Sequence, residues 1–117
     1  MRRIRLSDPA KADIASILRA SERLHGPEAR ARYRALLSAA LRRLAENPND
    51  PSSRERGEFV AGLRSFHIRH AGRATGHERV AEPVHVIFYR PSDPDVIEVV
   101  RVLHERMAPE PRLAGAE

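Results

Sequence analysis

The side chains able to do chemistry in this chain are mostly arginine and histidine. All but Lys11 of its 21 lysines and arginines are Arg, and six histidines but no cysteine accompany them. His67-x-x-His70, with His77 and His85 downstream, has the residue type of a metal centre. Residues 67 and 70 point to opposite faces of a strand, however, no thiolate is available, and the carboxylates fall at irregular spacing. No metal and no other cofactor is therefore expected. Arg101 and His104 are also three apart, inside a β-branched run. On a regular strand they cannot share one phosphate, so Arg101 is expected to meet a carboxylate or a helix C-terminus and His104 a backbone partner. A second group of arginines (Arg30, Arg32, Arg34, Arg42 and Arg43) flanks an apolar helical stripe. They form either a solvated face with snorkelling stems or a surface for an acidic partner. Neither a Gly-rich phosphate loop, a nucleophile elbow nor a carboxylate dyad is present.

A net charge of +5 points toward an acidic partner, nucleic acid or protein. The only aromatic residues are Phe59, Phe66, Phe88, Tyr33 and Tyr89, too few for a base-stacking platform. With no long apolar run behind the basic N-terminus, neither a signal segment nor a membrane span is expected, and a reducing cytoplasm suits a chain without cysteine.

The elements that must position these residues follow from periodicity. Six of the nine residues 96–104 are Val, Ile or Leu, which predicts a strand with neighbours on both edges and mainly apolar on both faces. Strict alternation puts Val96, Glu98, Val100, Val102 and His104 on one side of it. Residues 3–6 read as a short half-buried strand. Ser7-Asp8-Pro9 then starts a helix that Gly26 ends, and Pro27 opens a second one carrying the stripe Tyr33, Leu36, Leu37, Ala40, Leu41, Leu44. So short a junction demands an antiparallel helical hairpin. The polar segment 49–58 reads as a loop, 63–69 and 84–90 as strands, and 70–83 as a long aperiodic connection. Pro109 and Pro111 rule out a long helix near the end, leaving 108–117 as a flexible tail. The fold class is α+β, in the order β-α-α-β-β-β: an N-terminal strand, a helical hairpin, then a three-stranded antiparallel sheet with the helices on one face.

With this order, the runs Gly62-Leu63-Arg64-Ser65-Phe66, His85-Val86-Ile87-Phe88-Tyr89-Arg90 and Ile97-Glu98-Val99-Val100-Arg101-Val102-Leu103-His104-Glu105-Arg106-Met107 carry a resemblance. The chain resembles the RelE/ParE superfamily of bacterial toxins from type II toxin–antitoxin modules, and within it the ParE, plasmid-stabilisation branch. The resemblance covers roughly residues 3 to 107 and implies one toxin domain over 1–107. It implies a small cytoplasmic toxin, held inactive in a hetero-oligomer by a cognate antitoxin whose disordered tail folds as it binds. Toxins of the ParE branch typically poison DNA gyrase, whereas those of the RelE branch cut mRNA on the ribosome. A nuclease of the latter kind would need Arg64, Tyr89, Arg90 and His104 on one concave face, with Arg69, His85 and Arg101 as further candidates. A binding toxin would instead use basic residues such as Arg30, Arg34, Arg42, Arg64, Arg69 and Arg101 toward target or antitoxin. A third reading is a basic module that binds nucleic acid or ribosome and poisons nothing. The missing acid–base set leans the expectation away from an enzyme.

Overall fold

The structure, a computed structural model, describes residues 1–74, 80 and 82–115. Its spine is β5 (Val96–His104), which lies between β1 (Arg3–Leu6) and β4 (His85–Asp93). Beyond β4 come β3 (Arg64–His67) and a two-residue strand, β2 (Arg54–Glu55), so the sheet has five strands in the order β1-β5-β4-β3-β2. The expected three-stranded antiparallel sheet is thus corrected in two ways. The N-terminal strand joins the same sheet, parallel to β5, and β2 extends the far edge from inside the segment read as loop. Two residues carry no detectable alternation, which is why β2 left no sequence signal. The strand expected over 63–69 covers only Arg64–His67, and the chain continues as a 3-10 helix, Ile68–Ala74. The rest of the expected 70–83 connection, His77 included, lies mainly outside the described residues.

Helices α1 (Asp8–His25) and α2 (Pro27–Glu46) meet at Gly26. Its φ of +92° costs glycine little, and its N–H closes α1 onto the Glu22 carbonyl at 2.8 Å. At the other end of α1, Ser7 accepts the Ala10 N–H at 3.1 Å and donates its hydroxyl proton to the Val100 carbonyl at 2.7 Å. One side chain therefore caps the helix and ties it to the spine. The predicted stripe is core: Tyr33, Leu36, Leu37, Ala40 and Leu44 pack against Phe66, Ile87, Tyr89, Ile97, Val99 and Val102, with Leu41 half-buried at the margin. Among the described residues no helix is long and apolar enough to cross a membrane.

Simple alternation fails once along β5. Tyr89 faces Val99 and Phe88 faces Arg101, so Val100 is an extra residue with no partner in β4. This bulge moves every later side chain to the other face. Ile97, Val99 and Val102 therefore pack under the helices, while Val100 and Leu103 join Val60, Leu63 and Phe88 on the opposite face. Within 108–117, expected to be a flexible tail, Glu110–Leu113 forms one helical turn, α3. Leu113, 2% exposed, seals that second apolar cluster.

Candidate functional site

The sequence-predicted residues fall into separate places. On the helix-bearing face Arg64 sits directly across from Tyr89. The Arg64 guanidinium donates twice to the Ser53 hydroxyl, at 3.1 and 2.8 Å, and the Tyr89 hydroxyl donates to the Pro48 carbonyl. Burial raises the Tyr89 phenol above its ordinary value, although bonds from Ser53 and Arg64 oppose this. Tyr89 is thus a closed structural phenol, with no face open to a substrate. Arg90, one residue on, turns to the opposite face, where its Nε and Nη2 both reach Glu98 at 3.2 Å, and Arg5 approaches the same carboxylate at 3.5 Å. His104 stands across from His85, four residues along β4 from Tyr89. That is ~13 Å at the rise of a strand. The four residues a nuclease would need do not converge.

Arg101 meets a carboxylate, as expected, although the identity of that carboxylate was not legible. Its Nε and Nη2 donate to the two oxygens of Asp13 at 2.8 Å each, and its Nη1 donates to the Arg112 carbonyl at 3.0 Å. The Asp13 bond raises the guanidinium pKa against the effect of burial. Asp13 Oδ2 also accepts the Val102 N–H at 2.9 Å. The edge of β5 that β1 is too short to cover is thereby capped by side chains of α1 and its N-cap, Ser7 at Val100 and Asp13 at Val102.

The arginines of α2 divide as well. Arg43, read as part of either a solvated face or a surface for an acidic partner, is partly buried: it grips Asp50 through Nε (2.6 Å) and Nη2 (3.1 Å), donates to the His70 carbonyl, and lies over the Phe66 ring. Burial would raise the Asp50 carboxyl, but Arg43 and the Ser52 N–H outweigh it and hold the carboxyl below the usual range. Arg30 pairs loosely with Glu22 at 3.4 Å. Arg34 and Arg42, i and i+8 on the outer face, and Arg69 on the 3-10 helix are solvent-exposed. Both ring nitrogens of His67 are used, Nδ1 accepting from the Arg69 N–H at 3.2 Å and Nε2 facing Glu105 at 3.1 Å.

A groove of about 780 Å³ runs between the α1–α2 junction and the end of β5, walled by Ile17, Leu24, Tyr33 and Met107 and floored by His85 and His104. Among the described residues, the large apolar side chains left exposed apart from Met1 are Leu24 (66%) and Met107 (44%), and both line the groove. The Tyr33 hydroxyl accepts the Val84 N–H at 3.1 Å and meets His85 Nδ1 at 2.6 Å. Burial, then the neighbouring His104, pushes His85 down to about 4, so its ring is neutral near pH 7. Tyr33 had read only as part of the apolar stripe of the second helix. Its placement depends on where the hairpin turns over the sheet.

A family model described as the ParE toxin of the type II toxin–antitoxin system parDE matches residues 4–109. Toxin ParE1 of Caulobacter vibrioides is 35% identical over 107 residues, 92% of this chain and 93% of that protein. A chain from the chromosomal ParDE toxin–antitoxin system of P. aeruginosa, 18% identical, superposes with a TM-score of 0.65 over 89% of this chain and 96% of its own length. At that identity the likeness is one of fold. The matched span runs from β1 to just past the Arg101–Met107 run, and it is this span that assigns the molecule: the chain belongs to the ParE toxin family of type II toxin–antitoxin systems.

Proposed function

We propose that this chain is a cytoplasmic toxin, a single domain over 1–107, that binds and inhibits DNA gyrase and is neutralised in a hetero-oligomer by a cognate antitoxin. The observation that carries the reading against a ribosome-dependent nuclease is the dispersal of Arg64, Tyr89, Arg90 and His104. Arg64 and Tyr89 are committed to Ser53 and Pro48, Arg90 is on the other face with Glu98, and His104 is ~13 Å further along the sheet. General acid–base cleavage requires groups within hydrogen-bond reach of one phosphate. A protein that acts by occupying its target needs only a shaped surface, and the exposed Arg34, Arg42 and Arg69 supply charge for one. Inducing the gene in bacteria, with and without its antitoxin, tests this. Growth arrest with an SOS response and intact mRNA, together with loss of supercoiling by purified gyrase, is the expected result. Codon-phased mRNA cuts would overturn it in favour of the nuclease, and the absence of arrest would overturn both toxin readings.

A further inference from the structure

The solvent face of the helical hairpin carries charge of one sign. Arg30 meets Glu22 at 3.4 Å, which fixes how the antiparallel helices lie beside one another. Counted away from that pair at equal rise, Arg19 is level with Arg34, and Lys11 with Arg42, to within a residue. The two levels are eight residues apart, ~12 Å, and packed helix axes stand ~8–10 Å from each other. Lys11, Arg19, Arg34 and Arg42 thus mark the corners of a patch that Arg23 extends toward the turn, and all five are exposed. Over residues 11–23 and 30–42 the only carboxylates are Asp13 and Glu22. Asp13 is bound by Arg101 and Glu22 meets Arg30, so neither neutralises the five. Lys11 has Asp8 at 3.9 Å, but with side chains 64% and 99% exposed that contact is worth little. Arg19 donates to the Ser16 hydroxyl at 3.3 Å, which leaves its charge uncompensated.

We propose that this face binds duplex DNA through its phosphates, without reading sequence. The uncharged residues exposed over the same two spans are Ala12, Ser16, Ala31 and Ser38. A protein partner is held mainly by large side chains that become buried in pockets, and this face offers none. Nor does it offer an aromatic ring on which a single-stranded base could stack. What it offers is long cationic side chains standing above small ones. A phosphate backbone is the ligand that such a surface suits, because its binding can be wholly electrostatic. Four of the five cations are arginines, whose guanidinium fork takes two phosphate oxygens at once. A duplex laid along the hairpin presents one phosphate per ~1.7 Å of its axis, both strands counted, so each cation can find one. An acidic protein segment is steered by the same charges from a distance but finds no anchor here to hold it. The inference goes beyond the gyrase reading and does not depend on it.

The test is fluorescence anisotropy of a short labelled DNA duplex of mixed sequence, titrated with the purified full chain from about 50 to 200 mM salt. Five phosphate contacts predict that log K falls against log salt with a slope of about −4. The triple variant Arg19→Gln, Arg34→Gln, Arg42→Gln should flatten that slope by about 2–3 and weaken binding at least roughly tenfold at the lower salt. Arginine-to-lysine changes at the same three positions keep the charge and should keep the slope. Arg2→Gln with Arg54→Gln and Arg106→Gln removes the same charge from exposed sites elsewhere and should change the slope by less than about 1. Every variant should keep a wild-type circular dichroism spectrum, since all the altered side chains are exposed. Equal flattening in this last variant would overturn the assignment, because net charge and not the hairpin face would then bind. No binding by wild type at the lowest salt, or tighter binding of a single strand of the same length, would overturn it as well. Hairpin variants that keep their DNA affinity but lose antitoxin or gyrase would make the occupant an acidic protein surface and refute the proposal. None of these outcomes bears on the toxin reading, which growth arrest tests separately.

Discussion

Replacing Asp13 should expose how much the fold depends on one carboxylate. Asp13 receives three hydrogen bonds: two from Arg101 at 2.8 Å and one from the Val102 N–H at 2.9 Å. Both side chains of the ion pair are largely covered, 14% exposed for Asp13 and 24% for Arg101. Asp13→Ala therefore strands a partly buried guanidinium and leaves an edge N–H of β5 unpaired. A lost charged hydrogen bond costs about 1.5–3 kcal/mol, and removing one partner of a fully buried pair about 3–5. For a pair that keeps some contact with water, about 3 kcal/mol is the reasoned value. Arg101→Ala should cost less, about 1.5 kcal/mol, because Asp13 then keeps Val102 and can take up water. Urea denaturation of both single variants and the double variant closes the cycle, with a coupling of about 1–2 kcal/mol expected. An Asp13→Ala cost below half a kilocalorie, or an Arg101→Ala cost exceeding it, would refute the reasoning. The latter result would mean that Arg101 matters for something other than this clip.

Three further outcomes are expected. Leu37→Ala, at a position 3% exposed in the core of α2, should cost about 2–5 kcal/mol in chemical denaturation, and the half-buried Leu41→Ala clearly less; equal costs would misplace the helix face. Acid should weaken the fold through His85: held down to about 4 in the folded chain and near 6.5 when unfolded, the ring contributes stability above pH 6.5 that is lost as pH falls toward 4. Complete burial would set the loss near 3 kcal/mol, and because solvent reaches one side of the ring about 1–2 is expected. His85→Gln should remove that part of the pH dependence between pH 7.5 and 5 in urea midpoints, and an unchanged dependence would clear His85 of the effect. Reversing exposed Arg34 and Arg42 to Glu should slow antitoxin association and flatten its salt dependence while dissociation changes little, which surface plasmon resonance at two salt concentrations would show; unchanged association would leave these arginines a solvated face.

What could be read before folding was whatever repeats along the chain. The stripe from Tyr33 to Leu44, the Ser7 cap and the Gly26-Pro27 junction are local patterns, each with a local physical cause, and each is found where the pattern put it. Several of the errors come from pairings between distant residues. A two-residue strand exists only because Arg54 and Glu55 meet Ser65 and Arg64, and neither its sequence nor its length announces that. Arg43 reads as surface from its neighbours in α2, but Asp50 and the His70 carbonyl arrive from later in the chain and draw it in. Which residues line the groove is likewise set at a distance, since its walls come from both helices and from the end of β5.

The bulge at Val100 links these observations. Without it Val102 and His104 would share a face with Val100, and Leu103 would turn inward under the helices. One unpaired residue brings Val102 beneath α1 and His104 beside His85, while Val100 and Leu103 close the second apolar cluster with Leu113. The closing run of the sequence is thereby distributed over three tasks: Arg101 clips α1 to the open edge, His104 floors the groove and Met107 lines it. A parity argument made on the sequence alone could separate Arg101 from His104. It could not show that their separation places one at a structural clip and the other on the floor of the groove, because that follows from a backbone irregularity set by strand pairing.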